Sequence, residues 1–387
     1  MKKDVYTALG VKRRINAAGT LTRLGGALMD DEIVAAMAAA ARASVDIGEL
    51  QAAASRVIAR VTGAQAGIVT TGAAAGLTLA AAAAMTRWDI ARMAALPQTE
   101  GFANEILLPR THRTGYAQAL RAAGARLVDV GHNDRGTGAG VRSLEAWEIK
   151  AAITKRTAAF AFSANAANIS DLPVVVKACH SKGIPVIVDA AAQLPPKSNL
   201  KALFALGADL VVFSGGKALG GPQASGILAG RRDLVGAALV QQLDMDVPPA
   251  TWVPPGLIDL RKMKGIPHHG LGRGFKVGKE EIVGLLAALE RFARSDDPNP
   301  AFEKRLKKIS KGLDGRVVPA SETGRVPQLH LKVKNPAAVS RKLQAGKPPI
   351  HVSERFAAQG ILIVDPQALR HADDTVLAAA LRKVLRG

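Results

Sequence analysis

Two short, wholly apolar runs separated by one helical pattern constrain this chain more than any other feature. Val186-Ile187-Val188 is β-branched throughout and shows no polar alternation, which is how a strand covered on both faces of a parallel sheet reads. Asp189 stands at its C-terminal end. Leu200, Leu203, Phe204 and Leu206 then follow a helical spacing, with Asn199 expected to cap that helix and Gly207 to end it. A second buried strand is predicted over 210–213, and it runs out into Ser214-Gly215-Gly216-Lys217. Strand, helix and strand make a βαβ unit. Asp189 and Lys217 therefore both fall beyond the carboxyl ends of parallel strands, where open α/β sheets place their ligands.

Lys217 admits three readings. A P-loop needs Gly six residues before the lysine and Ser or Thr after it; Val211 and Ala218 occupy those places, which excludes it. A solvated loop lysine is the ordinary expectation. Against it, Gly215, Gly216, Gly220 and Gly221 surround Lys217 with backbone that can approach a planar ligand closely, and a desolvated amine gives up its proton. The third reading is an amine that holds an aldehyde cofactor such as pyridoxal 5'-phosphate (PLP). Such a cofactor also needs a carboxylate to keep its pyridine nitrogen protonated. Asp189 and Lys217 supply that pair one helix and one strand apart.

The rest of the chain offers further candidates. Ile68 to Thr71 reads as a strand turning through Gly72, Ala73 and Ala74 into a long alanine helix. A helix N-terminus opened by such small residues exposes backbone N–H groups that suit an anion, although an ordinary strand-to-helix turn reads the same way. Ile106 to Pro109 is another short strand and delivers His112 to the same sheet edge; Asn165 and Asn168 follow the strand predicted over 158–162. Arg273 presents a planar fork suited to a carboxylate or phosphate, or to a surface salt bridge, with Lys276 and Lys279 beside it. The glycines at 136–140 and 270–274 do not complete a dinucleotide fingerprint, since Val141 and Phe275 take the last place. His268 and His269 are adjacent and cannot share a helix face as a metal pair, so no metal is expected.

Apolar strand, Asp189, helix and GADLVVFSGGK resemble the fold-type I PLP-dependent enzymes. DAAAQLPP, SGGKALGGPQ and GRGFKVGKEEIVGLLAALERF are similar to their selenocysteine synthase-like branch, which includes D-glucosaminate-6-phosphate ammonia-lyase. The resemblance runs from about Arg14 to the C-terminus. It implies an α/β fold-type I transferase fold: a large domain over 27–290 with a mostly parallel sheet, a small C-terminal α/β domain over 291–387, and an N-terminal arm over 1–26 that closes on the active site. It also implies roles. Thr71, Gly72, Ala73 and Ala74 hold the PLP phosphate with help from Ser214, His112 stacks on the ring, Asp189 faces the pyridine nitrogen and Lys217 bonds the aldehyde. Tyr116, Arg23 and Arg273 are the expected substrate contacts, and the active form is a homo-oligomer.

Composition agrees with such an enzyme. A chain of 387 residues with 48% hydrophobic content can bury a sizeable core, and with aromatics at 4% that core must be aliphatic. One cysteine, Cys179, excludes an internal disulfide framework and suits the cytoplasm. The longest apolar tract, 73–85, is shorter than the ~20 residues of a membrane helix, and the basic N-terminus lacks the apolar region of a secretory signal. The net charge of +20 can mark a nucleic-acid partner. Here the positive residues are spread along the chain with no aromatic platform, and because RRINAAGTLTRLGG stands almost at the start, no N-terminal tRNA-binding domain is expected. A small-molecule substrate, an amino acid, is expected rather than tRNA.

The expected reaction begins with Lys217 taking the Cα proton of a β-hydroxy amino acid, acidic or phosphorylated and sugar-derived, while Asp189 holds the ring nitrogen protonated. Loss of the β-hydroxyl then gives a 2-oxo acid and ammonia. Racemisation, aldol cleavage and β-replacement, including transfer onto aminoacyl-tRNA, use the same first step and stay open.

Overall fold

Alternating side chains divide the main sheet between two cores. The computed structural model describes residues 4–132 and 144–386, so the glycines at 136–140 lie outside the described residues. In chain order the strands are β1 (Ile15–Ala17), β2 (Ala66–Thr70), β3 (Glu105–Pro109), β4 (Arg126–Val130), β5 (Thr157–Ser163), β6 (Val186–Asp189), β7 (Leu210–Ser214), β8 (Gly226–Gly230), β9 (Gly315–Val318), β10 (Gln328–Lys332), β11 (Ile350–Val352) and β12 (Ile361–Val364). Contacts divide the chain into two units, residues 29–294 and residues 1–28 with 295–387.

In the larger unit seven strands lie in the order β2-β8-β7-β6-β5-β3-β4. Neighbours from β7 to β4 are parallel, and β8 runs antiparallel to both β2 and β7. Successive side chains of a strand point to opposite faces. Ile187, Leu210, Val212 and Leu228 accordingly enter one buried cluster with the helices Ala73–Thr86 and Arg232–Gln242. Val186, Val188, Val211, Phe213 and Ile227 enter another with the helices Ile47–Thr62, Leu172–His180 and Lys279–Arg294. A strand covered on both faces has no polar side to show, which is why these runs are continuous.

One local expectation is corrected. Asn199 does not cap its helix: the helix runs Asn199–Ala205 behind Ser198, and the Asn199 amide instead donates to the Gln193 carbonyl at 2.7 Å. The helix Asp31–Ala40 is followed by a separate one. Asp46 accepts the Glu49 N–H at 2.8 Å and starts a new helix at Ile47, which Gly63 ends with φ +74°.

The smaller unit has an antiparallel sheet β12-β10-β9 and a parallel pair β1-β11. The N-terminal segment thus pairs with the C-terminal third, Asn16 opposite His351. Leu329, Leu331, Leu362 and Val364 pack with Leu306, Leu377 and Leu381 of the flanking helices Asn299–Ile309 and Asp374–Arg386. Arg305 spans those helices through two hydrogen bonds to Asp374, at 2.9 and 2.7 Å. Among the described residues no helix is long and apolar enough to cross a membrane.

Candidate active site

The carboxyl ends of β5, β6 and β7 bring the first group of residues together. Asp189 closes β6 as the register partner of Ser163 on β5 and Val212 on β7. Its Oδ1 accepts the Ala191 N–H at 3.0 Å. Burial raises its pKa, opposed by that N–H and by the positive charge of Lys217. A buried carboxylate at a strand end is the kind of group that suits a protonated pyridine nitrogen.

Lys217 is half-buried in the turn after β7. Gly220 donates its N–H to the Lys217 carbonyl, and Gly221 to Gly215, both at 2.9 Å. The glycines around it serve the protein's own packing. A Cβ on Gly215 would lie 2.1 Å from Ser225 Oγ, and one on Gly216 2.6 Å from Gln223 Cα.

His112 ends the 3-10 turn Arg110–His112 that follows β3. Its ring meets Phe162 edge-on, with centroids 4.7 Å apart. The Ser163 N–H faces Nδ1 at 3.3 Å and the Asn168 amide faces Nε2 at 2.9 Å. Asn168 is oriented by accepting the Asn165 N–H and donating to the Ser163 carbonyl. Burial brings the His112 pKa down to about 4 against the opposing charge of Asp171. His112, Tyr116, Phe162 and Asp189 line one small cavity with Leu77 and Leu108. Tyr116 is otherwise exposed.

Thr71, Gly72, Ala73 and Ala74 lie at the end of β2, where helix Ala73–Thr86 begins. Gly72 takes φ +95° and no side chain caps the helix, so its first N–H groups are free for an anion. Across from this turn, β8 begins at Gly226, the register partner of both Thr70 and Ser214. A Cβ on Gly226 would sit 2.5 Å from the Gly72 carbonyl carbon and 2.7 Å from the Ala73 nitrogen. One short antiparallel strand thus links the uncapped helix start to the strand that ends at Ser214, ahead of the Lys217 turn. An anion-accepting helix end, a buried acid and a lysine at neighbouring strand ends fit PLP.

The remaining candidates are placed differently. Arg273, in the 3-10 turn Leu271–Phe275, is outside the lining of that cavity, and its Nη2 pairs with Asp244 at 2.8 Å. Lys279 pairs with Glu280 at 2.6 Å. Arg23 is exposed in the smaller unit, on the turn Thr22–Leu24. There, after burial and Arg14, its charge is the next influence holding the His351 pKa down. Asp244, Asp246 and His269 bring three ligand-type atoms within 4.8 Å of one another at the surface. The first two members are already engaged by Arg273 and by His269 itself.

Sequence reasoning did not find Gln241, whose Oε1 accepts the Leu271 N–H at 3.0 Å and holds the loop before the Lys279 helix. Nor did it find Gln51, which brackets Val69 of β2 by accepting its N–H at 2.9 Å and donating to its carbonyl at 2.8 Å. A glutamine inside an apolar helical face, at zero exposure, is the signal that was there to read.

Comparison with known proteins is consistent along the whole chain. The model of the aminotransferase class-V family matches residues 32–243. The D-glucosaminate-6-phosphate ammonia lyase of Salmonella typhimurium (strain 14028s / SGSC 2262) is 30% identical, over 99% of this chain and 98% of that protein. A 5'-C-glycyluridine monooxygenase-decarboxylase from a Streptomyces species is 32% identical over 98% and 92% of the two chains. A solved structure of D-glucosaminate-6-phosphate ammonia-lyase superposes with a TM-score of 0.81 at 29% identity, covering 100% of this chain and 99% of the other.

Proposed function

Because this chain belongs to the class-V aminotransferase family, a PLP-dependent enzyme family of fold type I, we propose that Lys217 and Asp189 are its catalytic pair in a lyase reaction on a β-hydroxy amino acid. The enzyme is a PLP-dependent lyase by its full-length likeness to an ammonia-lyase. The substrate we infer carries an acidic or phosphorylated, sugar-derived tail and leaves as a 2-oxo acid and ammonia. The observation that supports this reading is the placement of a buried, proton-favouring carboxylate within reach of the charge of a half-buried lysine at neighbouring strand ends.

When bound, PLP supplies an electron sink for negative charge at the substrate Cα. Asp189 offers its carboxylate to the pyridine nitrogen and keeps that nitrogen protonated. Lys217 would hold the cofactor through Nζ, and the same Nζ, when unprotonated and free, would be the base for the Cα proton. The N–H groups of Ala73 and Ala74, with Thr71, Gly72 and Ser214, hold the phosphate. His112 stays neutral and borders the ring; Tyr116 closes the cavity wall. Arg273 exchanges its exposed partner Asp244 for the substrate anion. We place the enzyme in the cytoplasm as a homo-oligomer, a dimer or a multiple of dimers.

The test is a spectral screen of D- and L-amino acids, sugar amino acids and their phosphates against the yellow holoenzyme, with ammonia and 2-oxo acid assayed alongside. Borohydride treatment followed by peptide mapping is expected to put the cofactor on Lys217; another labelled lysine would remove the assignment. Cα-proton exchange without ammonia release turns the reading to a racemase or transferase. Oxygen uptake with loss of carbon dioxide turns it to the chemistry named for the Streptomyces relative.

A further inference from the structure

We propose that the open face of the β12-β10-β9 sheet is an oxyanion site, built around Arg325, for a carboxylate or a phosphate monoester. Alternation along β10 sends Leu329 and Leu331 into the apolar cluster beneath the helices and turns Gln328, His330 and Lys332 to the opposite face. That face is the floor of a cavity of about 710 Å³, within the size range of small-ligand sites. All of its lining residues fall between 314 and 361.

Its electrostatics are unbalanced. Arg316, Arg325, Lys332 and Arg355 line the cavity against two carboxylates, Asp314 and Glu322, and Glu322 is already paired with Arg316. Among the described residues no carboxylate forms an ion pair with Arg325, Lys332 or Arg355. Arg325 is the most buried of these cations. Its Nη2 donates to Gln367 Oε1 at 2.9 Å, and its Nε has no partner. The acid whose charge acts on it is Asp365. Burial pushes the Asp365 carboxyl up, and its oxygens already accept from the Gln367 N–H at 3.0 Å and the Gln328 amide at 3.2 Å. A largely buried guanidinium with no carboxylate in ion-pair contact is costly unless an anion completes it, and its planar fork suits two oxygens of one group.

The walls fit a small ligand. Arg355 lies over the Phe356 ring at 5.7 Å, and His330 meets the same ring edge-on with centroids 5.7 Å apart. Burial and then the charge of Arg316 hold the His330 pKa down, which keeps that ring neutral and leaves the recognition of charge to the arginines and Lys332.

The experiment uses holoenzyme whose cofactor has been fixed by borohydride, so that the cofactor's own phosphate site stays filled and the readout does not depend on turnover. Titration calorimetry with inorganic phosphate and with acetate, at constant ionic strength, is expected to give saturable binding of at least one. Arg325→Gln should weaken it by about tenfold or more, with partial recovery in Arg325→Lys. If Arg325→Gln does not fold, the double variant Lys332→Gln with Arg355→Gln, at two exposed positions, carries the test and should weaken binding several-fold. No anion binding by the wild type, or the same affinity in these variants as in the wild type, overturns the proposal. In active holoenzyme, inhibition by the same anion that competes with substrate assigns the site to the substrate's own acidic group. Retained binding without competition assigns it to a separate small anion.

Discussion

The Thr71 hydroxyl donates to the carbonyl oxygen of Phe275, a residue 204 positions further along the chain. This bond ties the turn before helix Ala73–Thr86 to the end of the glycine-rich loop. The loop is itself pinned: a Cβ on Gly270 would lie 2.5 Å from Gln241 Oε1, and one on Gly272 2.7 Å from the Gln241 carbonyl oxygen. Thr71→Val should leave the Phe275 carbonyl unpaired and weaken PLP retention by about tenfold, whereas Thr71→Ser keeps it. Dialysis followed by visible absorbance measures this. Equal retention in the valine variant would mean the bond is structurally idle.

Gly226→Ala places a methyl group against the Gly72–Ala73 peptide. Overpacking of this kind typically costs about 1–3 kcal/mol, and here it also displaces the anion-accepting N–H groups. A lower melting temperature together with weaker PLP binding is expected. Gly256→Ala, where a Cβ meets nothing within 4 Å, should change neither. If both variants behave alike, the close approach does not matter.

Asp189→Asn should retain PLP yet lose several kcal/mol of catalysis in Cα-proton exchange, because a neutral pyridine is a poor sink. Stability should respond in the other direction. A carboxyl whose folded pKa is raised contributes stability that is present below its unfolded pKa and lost as pH rises through the folded value. At neutral pH the cofactor-free Asp189→Asn protein should therefore melt no lower than the cofactor-free wild type. Wild-type exchange rates in the variant would refute the role.

His112 supplies a pH test. Its pKa is brought down to about 4 from the ordinary 6.5 by burial. Between those values the unfolded chain binds the extra proton, so stability rises with pH from about 4 to 6.5 and is lost on acidification through that window. Discounted for partial exposure, the effect is about 1–2 kcal/mol. His112→Gln should flatten the stability profile between pH 4 and 6.5 in chemical denaturation. A slope identical to wild type would show that the imidazole is protonated in the folded protein.

The main sheet was legible because burial on both faces writes an unbroken apolar run, as at Val186–Val188, and because Asp189 and Lys217 interrupt such runs at their ends. The turn at Gly72 was legible for the same reason: a change of period from strand to helix is local in sequence. What escaped was set by register and by contacts remote in the chain. Gly226 owes its identity to the Gly72–Ala73 peptide opposite it, and the glycines of 270–272 to Gln241, so a loop that reads as pliable is packed. Asn199 illustrates a choice made at short range: its Nδ2 donates to the Gln193 carbonyl, and the residue becomes the first of the helix rather than its cap. Arg325 gave no pattern at all, because the face of β10 it borders is defined only once β9 and β12 are in place.

The helix Ala73–Thr86 carries one last implication. Its residues Ala80 to Ala84 are all buried, packed between the sheet and helix Arg232–Gln242. Alanine has no rotamers to lose, so ordering this segment forfeits backbone freedom alone. The same absence of side-chain freedom leaves no slack to absorb a larger residue. Substitutions along these five positions should be rejected in proportion to added volume, and the resulting displacement should travel along the helix axis to the amide end at Ala73 and Ala74. In a library of variants, the least tolerant stretch of the chain outside the site itself should be this run of its smallest chiral residue.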